Sequence, residues 1–266
     1  MIKLAIAGVC GRMGSTILKL ALSDPEFEVI GGSERKGHPM VGKELDAGLP
    51  GAPASRRISD DVALIIDLAD VIVDFTEPVS TLEHFRLAAN RGKAIVIGTT
   101  GLPQDAFQEI SKATGTRVVM SPNMSIGVNL MFDLVQRAAS ALTADYDVEI
   151  LELHHRWKKD APSGTAVRLR HIIEAARPEA PSFQVSGRNG MIGERKPGEI
   201  GVLAIRGGDI VGEHTVFFAG LGERLEITHR ASSRDNFARG ALLAAKWLCR
   251  QPSGVYDMKD VLGLIP

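Results

Sequence analysis

The segment Glu152-Leu153-His154-His155-Arg156-Trp157-Lys158-Lys159-Asp160-Ala161-Pro162-Ser163-Gly164-Thr165-Ala166 concentrates groups able to do chemistry. An imidazole donates or accepts a proton near neutral pH. An ammonium stabilises developing negative charge or supplies a proton. Ser163 is suited to cap a following helix, and the N–H groups of Gly164 and Thr165 then point outward as a cradle for an anion. Each feature has an ordinary reading too. Adjacent histidines alternate faces of a strand, paired lysines form a solvated face, and Ser-Gly-Thr caps a helix with no ligand. The combination in one stretch favours chemistry. The other histidines, His38, His84, His171, His214 and His229, lack such neighbours in sequence and read as structural or surface residues.

A second cluster opens the chain. Gly8-Val9-Cys10-Gly11-Arg12-Met13-Gly14 follows an apolar run, Leu4 to Val9, and leads into a helical pattern at Met13, Ile17, Leu20 and Ala21. Glycines permit a tight turn and close approach to a pyrophosphate, which the helix N-terminus then meets with free N–H groups. The spacing is G-x-x-G-x-x-G, displaced by one from the usual dinucleotide fingerprint. Glu34 stands where a ribose-binding carboxylate is expected, and Arg35 beside it could meet a 2′-phosphate. Glu34 favours NADH and Arg35 favours NADPH, so either cofactor is expected. Gly98-Thr99-Thr100 and Ser121-Pro122-Asn123-Met124 end later strands, where ligands lie in doubly wound sheets. Ordinary turn chemistry accounts for them equally well locally.

These clusters need a frame. Strand-like runs at 27–31, 71–75, 94–98 and 117–120 alternate with helical stretches at 78–89 and 103–113, as parallel βαβ units do. The Gly- and Pro-rich stretch 35–57 reads as a long surface loop. After Asn129 the order changes: a helix over 127–142, strands at 148–153, 202–206, 215–219 and 225–229, and one helix over 165–176. That is a mixed or antiparallel sheet covered on one face. A helix over 237–248 follows. The expected fold class is α/β: a Rossmann-like doubly wound parallel sheet plus a second α+β domain with a mixed sheet.

Composition sets the outer limits. The 266 residues are 44% hydrophobic and 24% charged, with a net charge of −1. Disorder is excluded, and there is no basic excess of the kind that neutralises nucleic-acid phosphates. The longest uncharged stretch, 118–132, is broken by Pro122, Asn123 and Asn129, too short for a membrane span. Cys10 and Cys249 form no disulfide framework and no metal-ligand spacing, so no metal is expected. The N-terminus reads as a first strand and not a signal peptide, which points to the cytoplasm.

Along essentially its whole length the chain resembles the dihydrodipicolinate reductase family of lysine and diaminopimelate biosynthesis. The resemblance rests on the loop at Gly8–Gly14, on Gly98-Thr99-Thr100, and above all on His154 to Ala166. It continues through Gly193-Glu194-Arg195, 206–214 and 223–229. It implies a nucleotide domain of 1–125 rejoined by 235–266, and a substrate and tetramerisation domain of 126–234. It also implies NAD(P)H-dependent reduction of 4-hydroxy-tetrahydrodipicolinate with loss of water. His154 would be the acid/base, Lys158 a proton donor and His155 a substrate contact, with Gly164 and Thr165 binding a substrate carboxylate. Val9-Cys10 and Met124 depart from the family's usual residues at positions that touch cofactor fit. A non-catalytic dinucleotide sensor or a sugar or aldehyde dehydrogenase would explain the glycine loop, but not the His–Lys segment.

Overall fold

The computed structural model describes residues 1–45, 56–179 and 182–264. The chain forms two compact units, Met1–Ile126 with Asp235–Pro266, and Gly127–Arg234.

Among the described residues, the first unit holds a six-stranded parallel sheet. Its strands are β1 (Ile2–Ala7), β2 (Phe27–Ser33), β3 (Val71–Asp74), β4 (Ala94–Ile97), β5 (Arg117–Met120) and β11 (Gly254–Tyr256), in the order β11-β5-β4-β3-β1-β2. Helices α1 (Arg12–Leu22), α2 (Val62–Leu68), α3 (Pro78–Asn90), α4 (Gln104–Ser111), α7 (Asp235–Leu248) and α8 (Met258–Val261) accompany it. Every residue of β3 and β4 is buried, which explains their uninterrupted apolar character. Helix α1 buries Gly14, Ile17, Leu18 and Ala21, one face at helical spacing. Two apolar clusters, one on Leu4, Ile6 and Val96 and the other on Ile72, Ile95 and Ile110, hold the layers together. Each such buried side chain contributes roughly 1.5–3 kcal/mol.

Four elements were not legible in the hydrophobic pattern, among them α8, whose four residues are too few to show a stripe. Helix α2 is short, and its exposed Leu64 and Leu68 blur the apolar stripe around buried Ile65 and Ile66. Strands β11 and β7 (Phe183–Val185) have three residues each at sheet edges. The first strand ends at Ala7, not Val9, because Gly8 turns the chain at φ 63°. The described parts of the stretch 35–57, residues 35–45 and 56–57, are tied down by backbone hydrogen bonds. Leu45 N–H donates to the Arg56 carbonyl at 2.7 Å and Ile58 N–H to that of Lys43 at 2.9 Å. Leu45 and Ile58 are buried in the core. The part of that expected loop at 46–55 lies outside the described residues.

The second unit holds a five-stranded mixed sheet among the described residues. It comprises β6 (Asp147–His154), β7, β8 (Glu199–Arg206), β9 (Gly212–Ala219) and β10 (Arg224–Ala231), ordered β10-β9-β6-β8-β7. β6, β7 and β8 run parallel, while β9 is antiparallel to β6 and β10 to β9. Helices α5 (Ile126–Ala141) and α6 (Gly164–Ala176) supply Val128, Met131, Val135, Leu169 and Ile173 to a core shared with Ile150, Val216 and Phe218. The alternating burial of β9 marks the covered face. Ile205 and Leu225 stay exposed at 46% and 44%. No helix among the described residues is long and apolar enough to cross a membrane.

Candidate active site

In the second unit, β6 carries Val148, Ile150 and Glu152 in turn on its buried side. The apolar row thus ends in a carboxylate with no solvent exposure. Sheet register places His214 opposite Glu152 and His229 opposite His214, so three titratable side chains line up across three strands. Glu152 Oε2 lies 2.5 Å from His154 Nδ1 and 2.8 Å from Arg206 Nη1. Its Oε1 accepts from Arg206 Nη2 at 2.8 Å and from the Ser163 N–H at 3.0 Å. Burial alone would raise this carboxyl, but the hydrogen bonds from His154 and Arg206 outweigh it and hold Glu152 at about 2. An ionised carboxylate only accepts, so His154 Nδ1 carries a proton and Nε2 is left for chemistry. Gly212 faces that nitrogen, and a Cβ there would stand 3.0 Å from Nε2.

Ser163 is the N-cap of α6, its Oγ accepting from the Ala166 N–H at 3.2 Å. The same Oγ lies 3.0 Å from His214 Nε2. Burial, with His154 nearby, pushes His214 down to about 3, so it is neutral at neutral pH. A Cβ at Gly164 would meet open space, so the start of the helix is accessible. Lys158 Nζ donates to both oxygens of Asp160 at 2.9 Å and holds that carboxyl below its usual range. The buried Nδ1 of His155 has no hydrogen-bond partner among the described residues, and its ring lies 5.8 Å from that of Trp157.

His154, Ser163 and the start of α6 are thus joined through Glu152, with Lys158 on the intervening loop. The reading of His214 as a residue without functional neighbours is corrected: register brings it against Glu152 and Ser163. His84 has the structural role read for it, its Nδ1 lying 2.6 Å from buried Asp74. His229 packs against Gly127, His171 contacts Arg170, and His38 accepts the Met40 N–H. Glu152 and Arg206 were missed as site residues. The one signal for Glu152 was a carboxylate at a strand position whose i−2 and i−4 neighbours are apolar.

In the first unit, the chain leaves β1 to opposite sides of the sheet through β2 and β3, which makes the carboxyl ends of β1 and β3 a switch point. Gly8 and Thr76 meet there, and a Cβ on Gly8 would lie 2.9 Å from Thr76 Cγ2. Gly11 caps α1 without a side-chain hydrogen bond, and a Cβ on Gly14 would collide with the Gly8 carbonyl. The Cys10 N–H donates to Glu34 Oε1 at 2.8 Å, fixing that carboxylate beside the loop. Glycine turn, uncapped helix start and adjacent acid fit a dinucleotide.

The other expected contacts divide by backbone and side chain. Val9 and Met124 are buried in the core, and Cys10 packs against it. Burial, with Glu34 nearby, pushes the Cys10 thiol up, which disfavours the reactive thiolate. Thr99 turns its hydroxyl inward to Thr81 Oγ1 at 2.8 Å and Asp74 at 3.3 Å. Ser121 Oγ donates to the Asn123 carbonyl at 2.9 Å, and Asn123 Oδ1 accepts the Ser125 N–H at 2.9 Å. Arg12, Met13, Arg35, Gly98, Thr100 and Pro122 lie on the same strand-end loops or on the first turn of α1.

Comparison with known proteins decides the family. Residues 2–124 match the family model for the N-terminus of dihydrodipicolinate reductase, and residues 127–262 match that for its C-terminus. The chain belongs to the dihydrodipicolinate reductase family. It is 49% identical to the 4-hydroxy-tetrahydrodipicolinate reductase of Syntrophobacter fumaroxidans, covering 99% of this chain and 100% of that protein. The reductase of the same name from Anaeromyxobacter dehalogenans is also 49% identical, with 99% and 98% covered. A solved dipicolinate-bound dihydrodipicolinate reductase from Paenisporosarcina superposes with a TM-score of 0.80 at 25% identity, covering 98% of this chain and 99% of that one. An NAD(H)-bound scyllo-inositol dehydrogenase from Lactobacillus casei, at 14% identity and a TM-score of 0.57, shares the fold.

Proposed function

We propose that this chain reduces 4-hydroxy-tetrahydrodipicolinate to tetrahydrodipicolinate with loss of water, using NADH or NADPH, in lysine and diaminopimelate biosynthesis. The observation that carries this reading is the pairing of His154 with a buried carboxylate that also anchors the start of α6, in a family member. A bound nicotinamide supplies the hydride. Gly8 to Met13 would take the pyrophosphate on backbone N–H groups, and Glu34 the adenosine ribose, with the loops at 98–100 and 121–124 offering backbone toward the other end.

The remaining work falls to the chain's own side chains. The N–H groups of Gly164 and Thr165 hold a substrate carboxylate at the positive end of α6. Lys158, on exchanging Asp160 for the substrate, stabilises negative charge building on the ring and supplies a proton, and His155 adds a contact. His154 holds or releases a proton at Nε2 while Glu152 retains Nδ1–H. The dipicolinate found with the Paenisporosarcina reductase, a planar cyclic dicarboxylate, suits such a cradle. The test is oxidation of NADH or NADPH on adding the freshly made product of the preceding synthase. No oxidation with either cofactor overturns the proposal.

Two expectations accompany it. Glu34→Ala weakens NADH more than NADPH, and Arg35→Ala the reverse. A lost hydrogen bond to a charged group is worth roughly 1.5–3 kcal/mol, which titration of each cofactor reads directly. Equal losses for both cofactors in both variants would show that neither side chain reads the ribose. The protein is also expected to be a cytoplasmic homotetramer, as the family resemblance implies; the sheet face turned away from α5 and α6, which bears the exposed Ile205, stays uncovered within the chain. Light scattering then gives about four times 28.5 kDa. A fully active monomer would refute this.

A further inference from the structure

We propose that Glu152 is a positioning residue: a single buried carboxylate that holds His154 in one tautomer and ties it at a fixed spacing to the carboxylate cradle of α6. The proposal rests on the roles given above to His154 and to Gly164 and Thr165. Its geometry is independent of them. Each oxygen of Glu152 serves one functional element and one guanidinium nitrogen. Oε2 takes His154 Nδ1 at 2.5 Å with Arg206 Nη1, and Oε1 takes the Ser163 N–H at 3.0 Å with Arg206 Nη2. The planar guanidinium fork fixes the plane of the carboxylate. Rotation that improved the bond to His154 would therefore lose the bond to Ser163.

The fold alone does not call for this arrangement. Val148 and Ile150 precede Glu152 on the same buried side, and replacing a buried ion pair by apolar groups of similar volume is commonly neutral or stabilising. A carboxylate here costs desolvation that three partners then offset. The charged groups around it also match a proton-handling role. Arg206 on β8 balances Glu152, so His154 can cycle between neutral and protonated forms without leaving a net anion buried. His214 on β9 is neutral at neutral pH, and His229 on β10 is lowered by burial, so neither adds a competing charge. Lys158 and Asp160 on the loop pair with each other.

Glu152→Gln separates the two tasks. The amide oxygen can keep the Ser163 N–H, while the amide –NH₂ replaces Oε2 and donates toward His154 Nδ1. That forces the opposite tautomer on the imidazole. Turnover is expected to fall by about 100-fold, the scale of a lost general acid or base. KM for substrate and the Kd of dipicolinate, used as the binding probe, should stay within roughly threefold, since the cradle survives. Glu152→Ala loses both tasks, so dipicolinate binding should weaken by about tenfold or more, the scale of a buried donor left unpaired. A purely structural Glu152 would move the thermal melt in both variants without this split between kcat and KM. The wild-type protein gives a reading free of any variant's folding. The ¹⁵N signals of the His154 ring, assigned by their loss in His154→Gln, should show a protonated Nδ1 and an unprotonated Nε2 in the neutral ring. A wild-type ring protonated at Nε2 alone overturns the proposal. So does near wild-type turnover in Glu152→Gln while His154→Gln is inactive. Full turnover in His154→Gln would instead remove the acid/base reading, and this inference with it.

Discussion

Replacing His154 by glutamine lowers turnover by about 10²–10⁴-fold, the range expected when a positioned proton donor or acceptor is lost. The fold should survive, because Glu152 keeps both bonds to Arg206 and the one to Ser163. Lys158→Ala should lower turnover by about 10²-fold, the scale of a lost anion stabiliser. Its effect on stability should be small. The Asp160 carboxylate it pairs with is 64% exposed, and such pairs are worth about 0–1 kcal/mol. A large loss of activity with an unchanged melt therefore reports chemistry. If His154 and Lys158 act as a unit, the double variant loses less than the product of the two single losses. Steady-state kinetics, a thermal melt and an NADH titration on each variant decide the matter. Near wild-type turnover in Lys158→Ala would take the proton-donor role from that residue even if the substrate assignment stood.

The parts of this protein legible in the sequence share one property: their signal is local. β3, β4 and β5 announce themselves as short apolar runs, because a parallel strand is buried on both faces. α1 and α7 show one buried stripe at helical spacing. The glycine loop is legible because its glycines answer a local demand: a positive φ at Gly8 and a close backbone approach at Gly14. What escaped is fixed by register or by packing between distant segments. His214 stands 51 positions from Ser163, and Arg206 stands 54 from Glu152. Nothing near either residue marks it, since β9 and β6 must pair before His214 meets Glu152. The strand-end loop at Gly98-Thr99-Thr100 is legible, but the direction of the Thr99 hydroxyl is not. It turns inward because Asp74, 25 positions earlier, needs donors.

Removing that demand has a large expected cost. Asp74 ends β3 with no solvent exposure. Its Oδ1 accepts from the Thr76 N–H at 2.8 Å, from Thr76 Oγ1 at 2.7 Å and from Thr81 Oγ1 at 3.1 Å. His84 Nδ1 lies 2.6 Å from Oδ2. Asp74→Ala strips all of these donors of their acceptor at once. Breaking a buried pair on one side costs about 3–5 kcal/mol. For a domain of this size that lowers the melting temperature by roughly 10 °C. It should also weaken NADH binding if the 98–100 loop contacts the cofactor, since Thr99 loses its anchor. Asp74→Asn keeps one accepting oxygen and should cost less. The pH dependence has a definite sign. Burial alone would raise the Asp74 carboxyl, but the bond from His84 outweighs it and holds the group below its ordinary 3.8. A carboxyl lowered in the folded state contributes its stability above the unfolded value and loses it as pH falls through the folded one. The advantage of the wild type over Asp74→Asn should therefore be full at pH 7 and shrink progressively below about pH 4. Melts of both proteins across that range check it. A difference that is constant with pH, or that widens in acid, would show that the ionised carboxylate is not what the threonines and His84 hold.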